Sequence, residues 1–364
     1  MATISADLET ELNTEHPRAH EVSGFPEIKI EQTPDGAFRR QRNLFNSRFG
    51  DQPGQFPPEP GRYRLLGSVG CGWCRRQLVV LRLLGLSDAV PFTVLHSRDA
   101  EGWRIAAADS DVVERYGLGR LNDFYRRTKP DFTGRGTSPT VIDLETGTVV
   151  SNNYHTLSID FEEAWKPFHA EGAPDLHPAE WAQEIDLLNQ QLFDDINNGT
   201  YKVIFANSAG AAQAAYGVFQ ARLADLDFRL ASRRYLFGEN LTDSDVRLFI
   251  TLSSFERSYR PSVAAVIGED QVKHLQDFPN LWAYARDLFQ QGFADEREQY
   301  FLGLLPGPSG DYVHHRGFSD GSTLPPPAEA LAGWLEPHGR EDLTGSPLYS
   351  GPGSGGSFEL WRFA

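Results

Sequence analysis

Two cysteines three residues apart, Cys71-Gly72-Trp73-Cys74, stand where the periodicity of the chain changes, and they constrain its fold more than any other feature. Before them, Arg62 to Ser68 reads as a strand, with Tyr63, Leu65 and Leu66 apolar, and Gly67-Ser68-Val69-Gly70 reads as a turn. After them, Trp73 to Leu84 is apolar nearly all round, which fits a helix buried against a sheet. The pair therefore sits at a helix N-terminus, where free N–H groups and a partial positive charge stabilise a thiolate. Arg75 and Arg76 add positive charge. Such settings lower a cysteine pKa by ~1–5 units, so thiol or redox chemistry outweighs a reading as inert buried cysteines. Half of a zinc site is the weakest reading: structural zinc takes four ligands, and no second pair stands at finger spacing. No metal is expected.

The elements that follow extend this frame. Val90 to His96 reads as a second strand. After a polar insertion, Thr140 to Leu144 and Thr148 to Val150 are short β-branched strands around Glu145-Thr146-Gly147, a hairpin signal. Strand, helix, strand and hairpin is the order of a thioredoxin-like α/β unit. Ser138-Pro139 precedes the third strand. In such sheets a cis proline there turns the preceding N–H and C=O toward the cysteine, and cis bonds occur almost only before proline. An ordinary strand-start proline is the plainer alternative.

From Pro178 the period becomes helical. Trp181, Ile185, Leu188, Leu192 and Ile196 share one face, and Ala215, Phe219, Leu223, Leu226 and Leu230 repeat the spacing. Thr242 and Asp245 stand three apart, as an N-cap and its reciprocal acidic partner do. Phe278 to Gln291, with Pro279 near its first turn, is a further helix. Four regions result: a polar, proline-punctuated extended arm over 1–60, a thioredoxin-like thiol-binding domain over 61–170, an all-helical domain over 171–304 and a Gly/Pro-rich tail over 305–364. The tail holds 11 Gly and 8 Pro, so a mostly irregular course is expected, although Trp334, Leu335, Phe358, Leu360, Trp361 and Phe363 suggest that parts pack back onto the body.

Other classes of function lack support. The formal charge of −16 argues against nucleic acid or an anionic membrane as partner. No apolar run approaches the ~18 residues of a membrane span, and the acidic N-terminus lacks the pattern of a secretion signal. The expectation is a soluble cytoplasmic protein. Gly70-x-Gly72 lacks the third glycine of a dinucleotide turn, and no Gly-Lys-Ser/Thr follows. No Gly-x-Ser-x-Gly or His-Glu-x-x-His occurs, and His314-His315 lies in the irregular tail.

Taken together these residues resemble glutathione transferases, and in finer detail their Xi class, the glutathionyl-hydroquinone reductases. The resemblance is carried by Gly61-Arg62-Tyr63, Cys71-Gly72-Trp73, Gly85-Leu86, Gly102-Trp103, Tyr125 and Gly134-Arg135-Gly136-Thr137-Ser138-Pro139. It continues through Asp143 to Gly147, Val150-Ser151-Asn152, Glu184-Ile185-Asp186 and Ile196-Asn197-Asn198-Gly199-Thr200-Tyr201-Lys202. Tyr235-Leu236-Phe237-Gly238, Leu241 through Phe249, Phe255, Tyr259 and Asp277 through Trp282 complete it, in order, over roughly residues 40 to 310.

The resemblance implies a homodimeric enzyme in which a cysteine attacks the sulfur of a hydroquinone thioether. The hydroquinone leaves, and a second small thiol resolves the mixed disulfide. Cys71 matches the nucleophile. Trp103, Arg135 and the backbone of Ser138, beside Pro139, match positions that hold glutathione, and Tyr259 matches an acceptor-pocket tyrosine whose phenol could donate a proton. The chain also departs from the family. Cys-Pro-Trp-Ala is here Cys71-Gly72-Trp73-Cys74, and Glu-Ser at the third-helix N-terminus is Asn153-Tyr154. Arg260-Pro261-Ser262-Val263 replaces His-Phe-Lys-Cys-Asn. Asn153 and Tyr154 stand where the γ-glutamyl end of glutathione would be held, with no charge for its ammonium and a bulky ring in place of a short hydroxyl. The 29 Arg against 5 Lys suggest a high-GC genome, and bacteria of that kind include users of mycothiol, which has no γ-glutamyl group. The thiol is therefore glutathione or another such as mycothiol, and the acceptor a quinone-derived or other aromatic conjugate. Two alternatives remain: a dithiol–disulfide oxidoreductase of glutaredoxin type using Cys71 and Cys74, and a non-catalytic ligand-binding protein on a transferase scaffold.

Overall fold

A computed structural model describes residues 31–306 and 325–343, apart from residues 41, 69, 100 and 106–109. His314-His315 and the aromatics Phe358, Trp361 and Phe363, with Leu360, lie outside the described residues. The chain divides into two compact units, one of Arg42–Glu180 and one built around Trp181 onward with the segment before Arg42.

The second of these units includes the two strands that come first in the chain. β1 (Glu31–Gln32) and β2 (Phe38–Arg39) pair antiparallel. The turn between them needs Gly36, whose φ of 85° suits a residue without a Cβ. Its carbonyl accepts from Asn207 N–H just before the long Ala209–Leu230 helix, and Phe38 packs on Phe205.

The Arg42–Glu180 unit is built on a five-stranded sheet, β3 (Tyr63–Gly67), β4 (Phe92–Asp99), β5 (Gly102–Ile105), β6 (Thr140–Asp143) and β7 (Thr148–Ser151). Their order is β5-β4-β3-β6-β7, with β3 and β4 parallel and every other pair antiparallel. The parallel pair needs a crossover, and the Gly72–Leu83 helix supplies it. This is the thioredoxin-like arrangement anticipated from the sequence, with one addition. The insertion after the second strand contributes β5 as an antiparallel edge, and then two short helices, Ser110–Tyr116 and Leu121–Thr128. Leu66, Leu95, Leu121, Phe124, Tyr125 and Ile142 close the core on that side.

The segment from residue 42 to 60 is irregular but anchored. Phe45 meets Tyr125 edge-on at 5.0 Å, and Phe49 is buried against Tyr63 and Trp165. Tyr63 hydroxyl donates to the Pro57 carbonyl at 2.7 Å. Two aromatics thus fix a stretch whose prolines and polar residues disfavour regular structure.

In the helical unit, Ile185, Leu188, Leu192 and Ile196 are all buried, as are Phe219, Leu223, Leu226 and Leu230 on the long helix. The Asp243–Ser254 helix is buried along its whole length. Its start is capped as the Thr242/Asp245 spacing predicts: Asp245 Oδ2 accepts from the Thr242 N–H at 2.9 Å and hydroxyl at 3.0 Å. Asp245 Oδ1 accepts from Leu236 N–H and Tyr284 hydroxyl, so this buried carboxylate is fully used. In the tail, a Pro327–Leu335 helix inserts Trp334 against Phe289 and Trp282, with ring centroids 4.9 and 4.7 Å away, while Leu335 stays exposed. Arg340 is buried and donates to the carbonyls of Leu230, Arg233, Arg234 and Asn280. Among the described residues no helix is long and apolar enough to cross a membrane.

Candidate active site

β3 ends at Gly67, and the following turn delivers Cys71 as N-cap of the Gly72–Leu83 helix, with extended backbone at φ −95° and ψ 111°. The Cys71 carbonyl accepts from the N–H groups of Cys74 and Arg75, both at 3.0 Å, which closes the first turn. Both cysteines are free thiols; Cys71 is half-buried and Cys74 fully buried. Gly67 makes that burial possible. A Cβ there would stand 2.7 Å from Cys74 Sγ and 2.8 Å from a Phe92 ring carbon, so only glycine leaves the sulfur its place on the strand.

Cys71 Sγ lies 3.6 Å from the Ser138 carbonyl oxygen, and the Ser138-Pro139 peptide bond is cis. The Cys71 pKa is lowered to about 7. The chief cause is a hydrogen bond from the Cys74 thiol, opposed by burial and aided by the Cys74 N–H, the Ser138 hydroxyl and the Trp73 N–H. Cys74 moves the other way: burial, its bond to Cys71 and repulsion by a Cys71 thiolate raise it well above the usual range. Hydrogen bonds at the helix start, rather than neighbouring arginines, dominate the Cys71 shift. Arg75 and Arg76 are buried, and the Arg76 guanidinium lies 5.8 Å from the Trp73 ring centre.

Tyr154 is buried with its ring on Trp73, centroids 4.6 Å apart, and with His155 against it at 4.4 Å. The amide oxygen of Asn153 accepts from Asn43 Nδ2 and from the His155 N–H, both at 3.1 Å. Asn153 thus joins the segment from residue 42 onward to the turn that starts the Leu157–Glu163 helix.

Trp103 lies half-buried on edge strand β5, packed against the core, and Arg135 lies in the loop before Ser138. One buried residue supports both stretches of backbone, and sequence reasoning missed it. Asn122 Oδ1 accepts from the Gly136 N–H at 2.7 Å, and Gly102 lies so close that a Cβ there would be 3.0 Å from the Asn122 amide. Thr137 is fixed next. Its carbonyl accepts from the Tyr125 hydroxyl at 3.1 Å, its N–H donates to that hydroxyl at 3.2 Å, and its hydroxyl accepts from Asn152 Nδ2 at 2.8 Å. The signal available in the sequence was the glycines at 102 and 136, at each of which a Cβ would meet the Asn122 side chain.

Tyr259 belongs to the helical unit. It ends a wide turn, Phe255–Tyr259, and its hydroxyl is 3.3 Å from that of Tyr201. Arg40 sits over the Tyr201 ring at 4.6 Å and donates to Asn198 Oδ1 at 2.8 Å. After Tyr259 the replaced segment forms a helix, Arg260–Ile267, in which Arg260 donates to Glu269 and to the Val272 carbonyl.

No family model matches the chain. Individual proteins do. It is 31% identical over 298 residues to the glutathionyl-hydroquinone reductase YqjG of Escherichia coli, covering 79% of this chain and 85% of that one. It is 31% identical over 255 residues to the glutathione S-transferase omega-like 2 of Schizosaccharomyces pombe, covering 68% and 81%. Among solved structures, a glutathione transferase from Gordonia bronchialis shares 36% identity at a TM-score of 0.68, covering 80% of this chain and 88% of that one. The Xi glutathione transferase of Phanerochaete chrysosporium shares 31% at 0.65, covering 73% and 92%. A thioredoxin-like unit followed by helices is the glutathione-transferase fold. The chain belongs to the Xi class of that group, the glutathionyl-hydroquinone reductase family of enzymes.

Proposed function

We propose that this chain is a cysteine-dependent thiol transferase that removes or exchanges a small thiol on quinone-derived or related aromatic conjugates. The observation that supports it most is the half-buried Cys71 at a helix N-terminus, acidified to about pKa 7 and facing the Ser138 carbonyl. At that pKa a large fraction of Cys71 is thiolate at neutral pH, the form that attacks sulfur. The thiolate attacks the thioether sulfur. The bond from sulfur to the ring carbon breaks, and that carbon keeps the electron pair and takes a proton. The small thiol remains on Cys71 as a mixed disulfide. Tyr259 is the proposed proton donor, and Trp103, Arg135 and the Ser138 backbone beside Pro139 are the proposed holders of the small thiol. YqjG is known with glutathione bound, at 27% identity and a TM-score of 0.66, which supports a low-molecular-weight thiol as the group held here.

The choice of thiol turns on Asn153 and Tyr154. The Asn153 oxygen is already engaged by Asn43 and His155, and Tyr154 is packed on Trp73. Neither offers a negative charge to a γ-glutamyl ammonium. This favours a thiol lacking that group, such as mycothiol, over glutathione. The protein is proposed to act as a cytoplasmic homodimer. The test is release of free hydroquinone from glutathionyl- and mycothiol-hydroquinone conjugates. Release that depends on Cys71 supports the proposal; no release from either conjugate contradicts it.

A further inference from the structure

We propose that Cys74 is an intramolecular resolving cysteine, so that this chain also reduces mixed disulfides as a dithiol, closing a Cys71–Cys74 disulfide. The inference shares with the proposed function only the assignment of Cys71 as nucleophile. Its basis is geometric. The Cys74 N–H donates to the Cys71 carbonyl at 3.0 Å, closing a turn whose end Cα atoms lie within ~7 Å, about the span a disulfide bridges. Cys74 Sγ is backed by Gly67, where even a Cβ would stand 2.7 Å from it, so the sulfur has no retreat into the sheet.

The electrostatics time the reaction. Of the three causes that keep Cys74 protonated, burial is permanent, but the bond to Cys71 and the repulsion by its thiolate depend on Cys71 being free. Once Cys71 carries a thiol as a neutral mixed disulfide, both lapse and Cys74 ionises more readily. Burial, the largest cause, remains, so the step that creates the target lifts only the part of the opposition that Cys71 itself imposes. The Cys74 thiolate attacks Cys71 Sγ, the sulfur–sulfur bond to the small thiol breaks, and that thiol leaves with the electron pair and takes the proton lost by Cys74. Two protein thiols are oxidised and one external disulfide is reduced. Two equivalents of a low-molecular-weight thiol then reduce the internal disulfide and become a disulfide themselves. Held on one turn, Cys74 acts at an effective concentration that can reach on the order of 10⁵ M, far above any free thiol.

The experiment uses the full chain, fully reduced, mixed with one equivalent of 4,4′-dithiodipyridine. Thiopyridone release is followed by absorbance, and the intact mass is measured. Resolution by Cys74 predicts two thiopyridones per chain, a product two hydrogens lighter than the reduced protein, and a Cys71–Cys74 peptide pair on digestion. Cys74→Ala then releases one thiopyridone and keeps the pyridyl adduct on Cys71. A wild-type protein that releases one thiopyridone and retains the adduct on Cys71 overturns the inference and leaves the proposed function standing. Undiminished release from Cys71→Ala overturns both, because Cys71 is then not the attacking group. The wild-type mass and peptide map decide the question even if a variant does not fold.

Discussion

The Tyr154 ring lies on the indole of Trp73 with centroids 4.6 Å apart and planes inclined by 31°, inside the segment that separates the two cysteines. In the proposed thiol site this buried ring stands where the resemblance implies a short hydroxyl to hold an anion, and Asn153 stands where it implies a charged partner for the ammonium. A lost charged hydrogen bond costs about 1.5–3 kcal/mol, or roughly 10- to 150-fold in affinity. Calorimetric titration of the unaltered protein is therefore expected to show weak glutathione binding. The double substitution Asn153→Glu, Tyr154→Ser is expected to tighten it by about 10-fold or more. Low-micromolar binding by the unaltered protein contradicts this account of the thiol site.

Asn122 positions the backbone beside Arg135 without any expected contact with substrate. Asn122→Ala leaves the buried Gly136 N–H without its acceptor, a loss of ~1–3 kcal/mol. Because the affected loop carries proposed thiol contacts, KM for the thiol should rise about tenfold while kcat at saturation changes little. Asn122→Asp keeps an acceptor oxygen and should recover most of the KM. Equal loss of kcat in both variants, with KM unchanged, would show that Asn122 supports folding only.

Asp160 links the segment from residue 42 onward to the body by pairing with Arg48. Burial outweighs that partner and pushes its pKa from 3.8 up to about 6. The folded state therefore holds the proton more tightly than the unfolded chain. Its contribution to stability is complete below 3.8 and is lost as pH rises through about 6. Asp160→Asn should flatten that part of the pH–stability curve in urea unfolding. A curve falling as steeply in the variant as in the parent rules out Asp160 as its source.

Assembly as a two-fold dimer predicts a light-scattering mass near twice the 40.7 kDa of one chain at micromolar protein. A mass near 40.7 kDa itself excludes the dimer.

What could be read in advance from the sequence was local. Leu65 and Leu66, the cysteine pair and the apolar run after it sit within one strand–helix unit, and Thr242 with Asp245 forms a cap within one turn, so spacing alone exposes them. β5 escaped notice because Gly102–Ile105 is too short to show alternation and is defined only by its pairing with β4. Asn122 and Asn43 escaped for a related reason. Asn43 meets Asn153 across 110 residues, and no periodicity marks such a contact. Within the expected arm, residues 42–60 are irregular where Pro53, Pro57, Pro58 and Pro60 stand, whereas residues 31–39 hold the paired strands β1 and β2, and the anchoring by Phe45 and Phe49 depends on which surfaces the sheet leaves open. Trp334 packs back as its size suggests, whereas its neighbour Leu335 remains in solvent, since a helix turns successive residues to different faces.

Trapping the first covalent step tests the central claim most directly. Cys74→Ala, which removes the internal resolving thiol, is mixed with one equivalent of a thiol–hydroquinone conjugate and examined by intact-mass spectrometry and peptide mapping. The account predicts free hydroquinone together with the small thiol in disulfide linkage at Cys71, and neither when Cys71 is also replaced by serine. Hydroquinone released at the same rate from the Cys71→Ser protein, with no adduct at residue 71, would contradict it.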